Sequence, residues 1–389
     1  MGVQVKAGIE VLLARHREWL AGRRVALLSH AAVLDGQGRS TAALLHACRD
    51  CRLSVLMGPE HGWFGTAGAG EACRDARHPA WRIPVWSLYG ERRAPSAEAL
   101  ARQCDVVVLD LQDLGYRHYT YGSTLMLVLE ACQTAGLPLI VCDRPIPLPD
   151  TVDGPLLEPG FRSFVGMLPA PMVYGMTPGE TARWLAATQF PAVDLRVAPL
   201  EGWRREPMVA LASPPWIAPS PGIVSVQSAM SYPSLVFSEA FGRFDHGAGT
   251  AFSFQILAAP GREGAALAEA CGALRLPGAT VSTHWRAAPA AARGRQPWCG
   301  VRLQVTEPAR FRPIAASVAV VQAAQSVCGL QTVWADRRTR PAFFDKLYGT
   351  DAVRRALRDG ASLDSITASW RDGLRQFRRS RRRYLLYTS

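Results

Sequence analysis

The chain has 389 residues, enough for two hydrophobic cores, and its 48% hydrophobic and 20% charged residues are typical of a globular protein. No run of apolar residues is long enough to cross a bilayer, so the composition argues against a membrane partner. The formal net charge of +12 is concentrated near the C-terminus, in a basic stretch without interleaved aromatic residues. This pattern favours solubility and general anion attraction, so nucleic-acid binding is not predicted.

The start of the chain and the cysteines indicate the cellular compartment. Residues 9–20 form an amphipathic stretch interrupted by Arg15, Arg17 and Glu18, unlike the basic, apolar and small-residue pattern of a signal peptide. The nine cysteines are an odd number and show no paired metal-ligand spacing. We therefore predict a reduced, cytoplasmic protein.

Short apolar runs alternate with amphipathic helical stretches through the first half of the chain. The strands are predicted at residues 25–30, 53–57, 106–111 and 137–142. The helices between them are predicted at residues 41–48, 96–103 and 121–135. Alternation of this kind is typical of a parallel sheet with crossover helices. The first half is therefore predicted to be a doubly wound α/β domain.

The proline-rich and glycine-rich stretch 213–222 predicts a boundary between a domain of residues 1–212 and a domain of residues 213–389. Beyond it the pattern predicts a second, smaller α/β unit. Its strands are predicted at 253–257 and 300–305, and its helical stretches at 314–327 and 362–377. The alanine-rich residues 286–295 are predicted to form a surface loop, and residues 384–387 a closing strand or a docked tail.

Ionisable side chains follow all four predicted strands of the first half. They are His30, then Glu60 and His61, then Asp110 and Asp113, then Asp143 and Arg144. In open α/β sheets ligands bind outside the carboxyl ends of the strands, so we predict that Glu60, Asp110, Asp113, Arg117 and Asp143 line one cleft. A helix cap would explain any single acidic residue of this set equally well.

The segment that follows the third strand combines aromatic rings with a guanidinium group. Arg117, Tyr119 and Tyr121 together suit a sugar, whose apolar face stacks on rings while its hydroxyls take polar partners. The alternative is that the two tyrosines belong to the core edge of the next helix. A buried Arg117 is expected to need Asp110 or Asp113 as its charge partner.

Glu60 lies in a turn flanked by glycine and proline, from which its side chain can project into the cleft. In that place it could act as a general acid at a glycosidic oxygen. A glycosidase needs a second carboxyl group, for which Asp110, Asp113 and Asp143 are candidates. Residues 68–70 lack the third glycine of a dinucleotide loop, and no metal-ligand spacing is present, so no cofactor and no metal are predicted.

Sequence blocks along nearly the whole chain resemble those of the exo-β-N-acetylmuramidase family. The blocks are GPEHG (58–62), GAGE (68–71), PVWSLYG (84–90), DLQDLGYRHYTY (110–121), DRP (143–145), GMTPGE (175–180), FFDKLYGT (343–350) and YLLY (384–387). The resemblance implies a Rossmann-like N-terminal domain, a smaller C-terminal α/β domain and an active-site cleft between them. It also implies hydrolysis of terminal β-1,4-linked N-acetylmuramic acid during peptidoglycan recycling.

The resemblance also implies roles for particular residues. Glu60, in the PEHG block, corresponds to the principal catalytic acid. Asp110 and Asp113 complete the predicted catalytic set. The predicted substrate-binding set consists of His61, Glu71, Arg117, Tyr119, Tyr121, Asp143, Arg144 and His246. We expect Trp216 and the loop around His246 to close the cleft from the C-terminal side.

The chain departs from the family pattern at several positions. His30 stands where the family has asparagine, Tyr174 where it has histidine, Gly222 where it has asparagine, and Ala248 where it has arginine. Loss of that arginine removes a planar donor suited to the lactyl carboxylate of muramic acid. Two alternatives therefore stay open: an enzyme acting on another amino sugar or glycoside, and a sugar-binding protein without turnover.

Overall fold

The computed structural model describes residues 5–208, 216–289 and 297–388. Its strands are β1 (Arg24–Leu28), β2 (Arg52–Gly58), β3 (Ala76–Arg77), β4 (Pro84–Ser87), β5 (Val106–Leu109), β6 (Leu139–Cys142), β7 (Asp153–Leu156), β8 (Pro171–Val173), β9 (Leu195–Ala198), β10 (Ile256–Pro260), β11 (Ala279–Arg286) and β12 (Trp298–Val305). Its helices are α1 (Gly8–Arg15), α2 (Thr41–Ala47), α3 (Ala97–Gln103), α4 (Tyr121–Ala135), α5 (Pro178–Thr188), α6 (Val226–Leu235), α7 (Gly261–Gly272), α8 (Pro313–Cys328), α9 (Leu330–Ala335), α10 (Pro341–Tyr348), α11 (Ala352–Arg358), α12 (Leu363–Ala368) and α13 (Arg371–Arg381).

A seven-stranded sheet organises the first half of the chain. Its strand order is β3-β4-β2-β1-β5-β6-β9, and all neighbours are parallel except β3 and β4. The four predicted strands are confirmed as β1, β2, β5 and β6, and the predicted helices as α2, α3 and α4. The chain winds outward from β1 in both directions, so a ligand site is expected where β1 meets β5, at the carboxyl edge.

Both faces of this sheet are covered, as the predicted doubly wound, Rossmann-like fold requires. Alternate residues of β1 point to opposite sides, so Ala26 and Leu28 enter one core and Val25 and Leu27 the other. Helices α1 and α2 cover the second core with Ile9, Leu12 and Leu45. The strands are buried on both sides, which explains why they are continuous apolar runs in the sequence.

Polar residues mark the ends of the helices that connect these strands. Ser40 and Ser96 accept hydrogen bonds from the backbone N–H groups of Ala43 and Ala99, which caps α2 and α3. Helix α4 ends at Gly136, which has the left-handed φ of 65° that glycine adopts without strain. These local signals fix where the connecting helices begin and end.

The second half of the chain contains a smaller antiparallel sheet with the strand order β10-β12-β11. The predicted strands and helices of this half correspond to β10, β12, α8, α12 and α13. The predicted domain boundary after residue 212 falls in residues 209–215, outside the described residues, and stays a prediction. Residues 290–295, which make up most of the alanine-rich stretch 286–295, also lie outside them.

The end of the chain is a docked tail. Residues 385–388 follow a short 3-10 helix without forming a strand. Tyr387 donates a hydrogen bond to Asp143 and accepts one from the backbone N–H of Leu200. The tail therefore ties the C-terminus to the seven-stranded sheet.

Two further observations concern the sequence predictions about compartment. Within the described ranges, no helix has both the length and the apolar character needed to cross a membrane. All nine cysteines lie in those ranges, and each is a free thiol.

Candidate active site

A cavity of about 520 Å³ lies between the carboxyl edge of the seven-stranded sheet and the second half of the chain. The first half contributes the ends of β2 and β4 and the start of α4. The second half contributes α6, the turn after it, the loop around His246, and the start of α10. Its lining residues with titratable or aromatic side chains are Glu60, His61, Tyr89, His118, Tyr119, Tyr232, Glu239, His246, Phe254, Arg340 and Phe343.

Glu60 lines the cavity from the turn that follows β2. His61 and Gly62 both have positive φ, 72° and 76°, so the backbone reverses directly after Glu60. One carboxyl oxygen of Glu60 accepts a hydrogen bond of 3.0 Å from the backbone N–H of Gly70, and the other accepts one of 2.7 Å from the hydroxyl of Thr120. Both carboxyl oxygens of Glu60 therefore have protein donors, which fix the orientation of the group at the cavity wall.

Glu239 is the second carboxyl group in the cavity, and sequence reasoning missed it. It lies in the 3-10 helix Val236–Ala240 that follows α6, and not at the end of a strand. Burial of its carboxyl group, together with the negative charge of Glu60, raises the pKa of Glu239 to about 7, although Arg340 acts in the opposite direction. No local pattern in the sequence marks this residue.

Aromatic side chains form one wall of the cavity. The ring of Tyr232 packs edge-on against Tyr119 and Phe254, with ring centroids 6.0 Å and 4.7 Å apart. His118 also lines this wall, and neither of its ring nitrogens has a hydrogen-bond partner among the described residues. Burial lowers the pKa of His118 to about 3, so its ring is neutral. The aromatic rings of this wall suit the apolar face of a sugar ring.

Three of the predicted site residues form a buried structural network outside the cavity lining. The Arg144 guanidinium donates to both carboxyl oxygens of Asp110 at 2.7 and 2.9 Å, and Thr41 donates to the same carboxylate. Asp143 accepts hydrogen bonds from Thr177, Tyr387 and the backbone of Gly179. Polar groups that are buried at the ends of strands need hydrogen-bond partners there, so the side chains of Asp110, Asp143 and Arg144 are already bound by protein groups.

Arg117 is fully buried, and the prediction that it pairs with a carboxylate is wrong. Its guanidinium donates to the backbone carbonyls of Pro155, Ala170 and Tyr348. Burial lowers the pKa of Arg117 to about 9. The side chain therefore joins the first half of the chain to α10 and does not line the cavity.

The other predicted residues divide between the cavity and its surroundings. Asp113 accepts a hydrogen bond of 2.8 Å from Tyr174, and burial raises the pKa of Asp113 to about 6. Tyr121 donates to the carbonyl of Pro219, and exposed Glu71 accepts from the backbone of Gly68. None of these lines the cavity, whereas Glu60, His61, Tyr119 and His246 do. Of the five ionisable residues predicted to line one cleft, only Glu60 lines this cavity. The prediction is wrong for Asp110, Asp113, Arg117 and Asp143.

Gly222, one of the departures from the family pattern, lies at the cavity wall close to His246. The imidazole of His246 stacks on Phe254 with ring centroids 4.3 Å apart. A side chain at Gly222 would meet the same Phe254 ring at 2.8 Å, so glycine leaves the space that this ring occupies. Trp216, which was expected to close the cleft, instead donates to the carbonyl of Ile223 and is not part of the lining.

Two other departures, His30 and Tyr174, belong to the framework. His30 is buried, contacts the backbone of Gln112, and has a pKa lowered to about 3 by burial. Tyr174 holds Asp113, as described above. Among the described residues, no three His, Cys, Asp or Glu side chains are grouped as a metal site requires.

Two carboxyl groups that face one aromatic-lined cavity are the arrangement used by glycoside hydrolases. The chain matches the description "Exo-beta-N-acetylmuramidase NamZ, N-terminal" over residues 25–227 and the corresponding C-terminal description over residues 230–387. The chain belongs to this exo-β-N-acetylmuramidase family.

A curated relative and two solved structures agree with this assignment. The chain is 32% identical to the peptidoglycan β-N-acetylmuramidase NamZ of Bacillus subtilis (strain 168), over 99% of this chain and 92% of that protein. Its fold is similar to a DUF1343 family protein from Bacteroides fragilis, with a TM-score of 0.90, 29% identity and complete coverage of both chains. A second DUF1343 protein of that organism gives a TM-score of 0.73 at 26% identity and covers 99% of each chain.

Proposed function

We propose that this chain hydrolyses the β-glycosidic bond of a terminal N-acetylmuramic acid in peptidoglycan fragments, with Glu60 and Glu239 as its two catalytic carboxyl groups. The observation that carries the proposal is that these two side chains line one cavity and differ in their surroundings. Glu60 accepts hydrogen bonds on both carboxyl oxygens, whereas Glu239 has a pKa raised to about 7. Membership of the exo-β-N-acetylmuramidase family supports the choice of sugar.

The two environments assign different tasks to the two groups. Glu239 carries a proton near neutral pH and donates it to the glycosidic oxygen as the bond to the anomeric carbon breaks. Glu60 supplies the carboxylate that assists attack on the anomeric carbon, and water provides the new hydroxyl of the released sugar. This reverses the expectation from the sequence that Glu60 is the acid.

The sugar would lie against the aromatic wall. Tyr119 and Tyr232 contribute rings to this wall, packed edge-on with their centroids 6.0 Å apart. A cavity of about 520 Å³ has the size of a typical small-ligand site, which fits one or two sugar rings better than a long glycan.

The direct test is release of free sugar from a synthetic nitrophenyl β-N-acetylmuramide and from the disaccharide of N-acetylmuramic acid and N-acetylglucosamine. The unaltered protein should release N-acetylmuramic acid from both, and Glu60→Gln should be impaired on both. Glu269→Gln is the matched control, because Glu269 is an exposed glutamate of α7 outside the cavity lining. Binding of the disaccharide without any release of sugar would instead show a sugar-binding protein.

We also propose that the protein works in the cytoplasm. All nine cysteines are free thiols, and four of them are partly exposed. Partly exposed free thiols suit a reducing compartment. Fractionation of cells that produce the native chain checks this, and recovery of the protein outside the cytoplasm with oxidised thiols would contradict it.

A further inference from the structure

Arg340 is the permanently charged cation of the cavity lining. Among the lining residues that the structure describes, the other basic side chains are His61, His118 and His246. Burial lowers the pKa of His118 and of His246. A ligand with a carboxylate that enters this cavity meets two acidic side chains, Glu60 and Glu239, and only Arg340 can balance its charge at every pH of interest.

The backbone holds Arg340 next to Glu239. The N–H of Arg340 donates to the carbonyl of Ala240 at 2.8 Å, and the neighbouring Thr339 forms a bridge with Phe241. The guanidinium Nη2 of Arg340 donates to the carbonyl of Glu239 at 2.5 Å. The guanidinium of Arg340 is therefore held beside the backbone of Glu239, the proposed catalytic acid.

The guanidinium of Arg340 keeps donors to spare. It lies over the ring of Phe343, with its central carbon 4.5 Å from the ring centroid, which fixes its plane. Among the described residues, none accepts a hydrogen bond from Nε or Nη1 of Arg340, and none forms an ion pair with its guanidinium. A planar, anchored guanidinium with free N–H groups at a cavity wall is suited to bind a carboxylate.

We propose that Arg340 binds the lactyl carboxylate of N-acetylmuramic acid and so makes the enzyme select muramic acid over N-acetylglucosamine. This inference rests on the proposed function. The lactyl ether is attached to C3 of the sugar, two ring carbons from the anomeric carbon. The residue that binds the lactyl carboxylate must therefore lie beside the two catalytic carboxyl groups. Arg340 meets that requirement. It also supplies a positive charge in place of the arginine of the family pattern, which is Ala248 in this chain.

The test compares two ligands that differ only in this charge: N-acetylmuramic acid and its lactyl carboxamide. Their dissociation constants are measured by calorimetry for the unaltered protein and for Arg340→Gln. The unaltered protein should bind the acid more tightly than the amide by about tenfold to a hundredfold, the range of a charge-assisted hydrogen bond. Arg340→Gln should reduce this preference to less than about threefold by weakening the binding of the acid alone.

Two further variants separate recognition from general effects. Arg340→Lys keeps the charge but loses the planar fork, so it should retain a reduced preference for the acid. Arg338→Gln removes the same charge from the same loop, where Arg338 pairs with Asp336 outside the cavity lining, and should leave the preference unchanged. If Arg340→Gln weakens the binding of the acid and of the amide equally, the proposal is overturned, because Arg340 would then only hold Glu239 in place.

The outcomes for this inference and for the proposed function are distinguishable. If the unaltered protein releases no sugar from any N-acetylmuramide, the proposed function fails. If it releases the sugar but binds the acid and the amide equally well, the proposed function stands and Arg340 is not the carboxylate receiver.

Discussion

Glu60 raises the pKa of Glu239 across the cavity that both residues line. Its effect adds to the larger effect of burial, and the resulting pKa of about 7 leaves Glu239 able to hold a proton near neutrality. The two groups belong to different halves of the chain. The cavity between those halves thus holds a pair of carboxyl groups suited to different tasks in one reaction.

The first prediction separates the two carboxyl groups by the leaving group. A nitrophenolate departs without protonation, whereas a sugar alkoxide does not. Glu239→Gln should therefore lose about 10²- to 10⁴-fold in kcat/KM on the disaccharide and much less on the nitrophenyl glycoside. Glu60→Gln should lose activity on both substrates to a similar degree. If the two variants show the reverse pattern, Glu60 is the acid.

The second prediction concerns pH. A general acid works only while protonated, and the pKa of Glu239 is raised to about 7, so activity should be present below this value and fall as the pH rises through it. The measurement is kcat/KM for the disaccharide between pH 5 and pH 9. Residual activity of Glu239→Gln on the nitrophenyl glycoside should lack this alkaline limb. An unchanged limb in that variant would assign it to another group.

The third prediction tests Arg117 as a structural residue. Arg117→Met leaves several buried carbonyls without their donor, and each costs roughly 1 to 3 kcal/mol. We expect the free energy of unfolding in urea to fall by about 3 kcal/mol or more. Arg162→Met, at an exposed arginine, is the control and should change stability by less than about 0.5 kcal/mol. A stable Arg117→Met variant that no longer binds the sugar would restore Arg117 to the substrate-binding set.

The fourth prediction concerns Asp143 and the pH dependence of stability. Burial and the nearby charge of Glu180 raise the pKa of Asp143 to about 7, so between about pH 4 and pH 7 the folded chain holds a proton that the unfolded chain releases. Its contribution to stability is therefore present at low pH and declines as the pH rises through this window.

Asp143→Asn removes this titration, so its unfolding free energy should decline less between pH 4 and pH 7 than that of the unaltered protein. The measurement is urea unfolding at a series of pH values, with Glu269→Gln, at an exposed glutamate, as the control. Catalytic activity per folded molecule should be retained, since Asp143 lies outside the cavity lining. Loss of activity with unchanged stability would show that the strand-end aspartates take part in the chemistry.

Local patterns in the sequence were sufficient for the four central strands of the large sheet, for the helices between them, and for one of the two carboxyl groups in the cavity. Buried parallel strands are continuous apolar runs, and serine caps and Gly136 mark helix ends, so β1, β2, α2 and α4 could be located from neighbouring residues alone. Glu60 could be found because a residue directly after a parallel strand must lie at the carboxyl edge of the sheet.

Which ionisable groups face the cavity was decided only by the tertiary structure. Asp110 and Asp143 also follow strands, but Arg144 forms an ion pair with Asp110 in the interior, and Tyr387 donates a hydrogen bond to Asp143. Glu239 comes from a 3-10 turn with no local signal, and only the packing of the two halves brings it opposite Glu60. The physical reason is that burial and charge pairing depend on contacts between residues far apart in the chain, which hydrophobic periodicity does not encode.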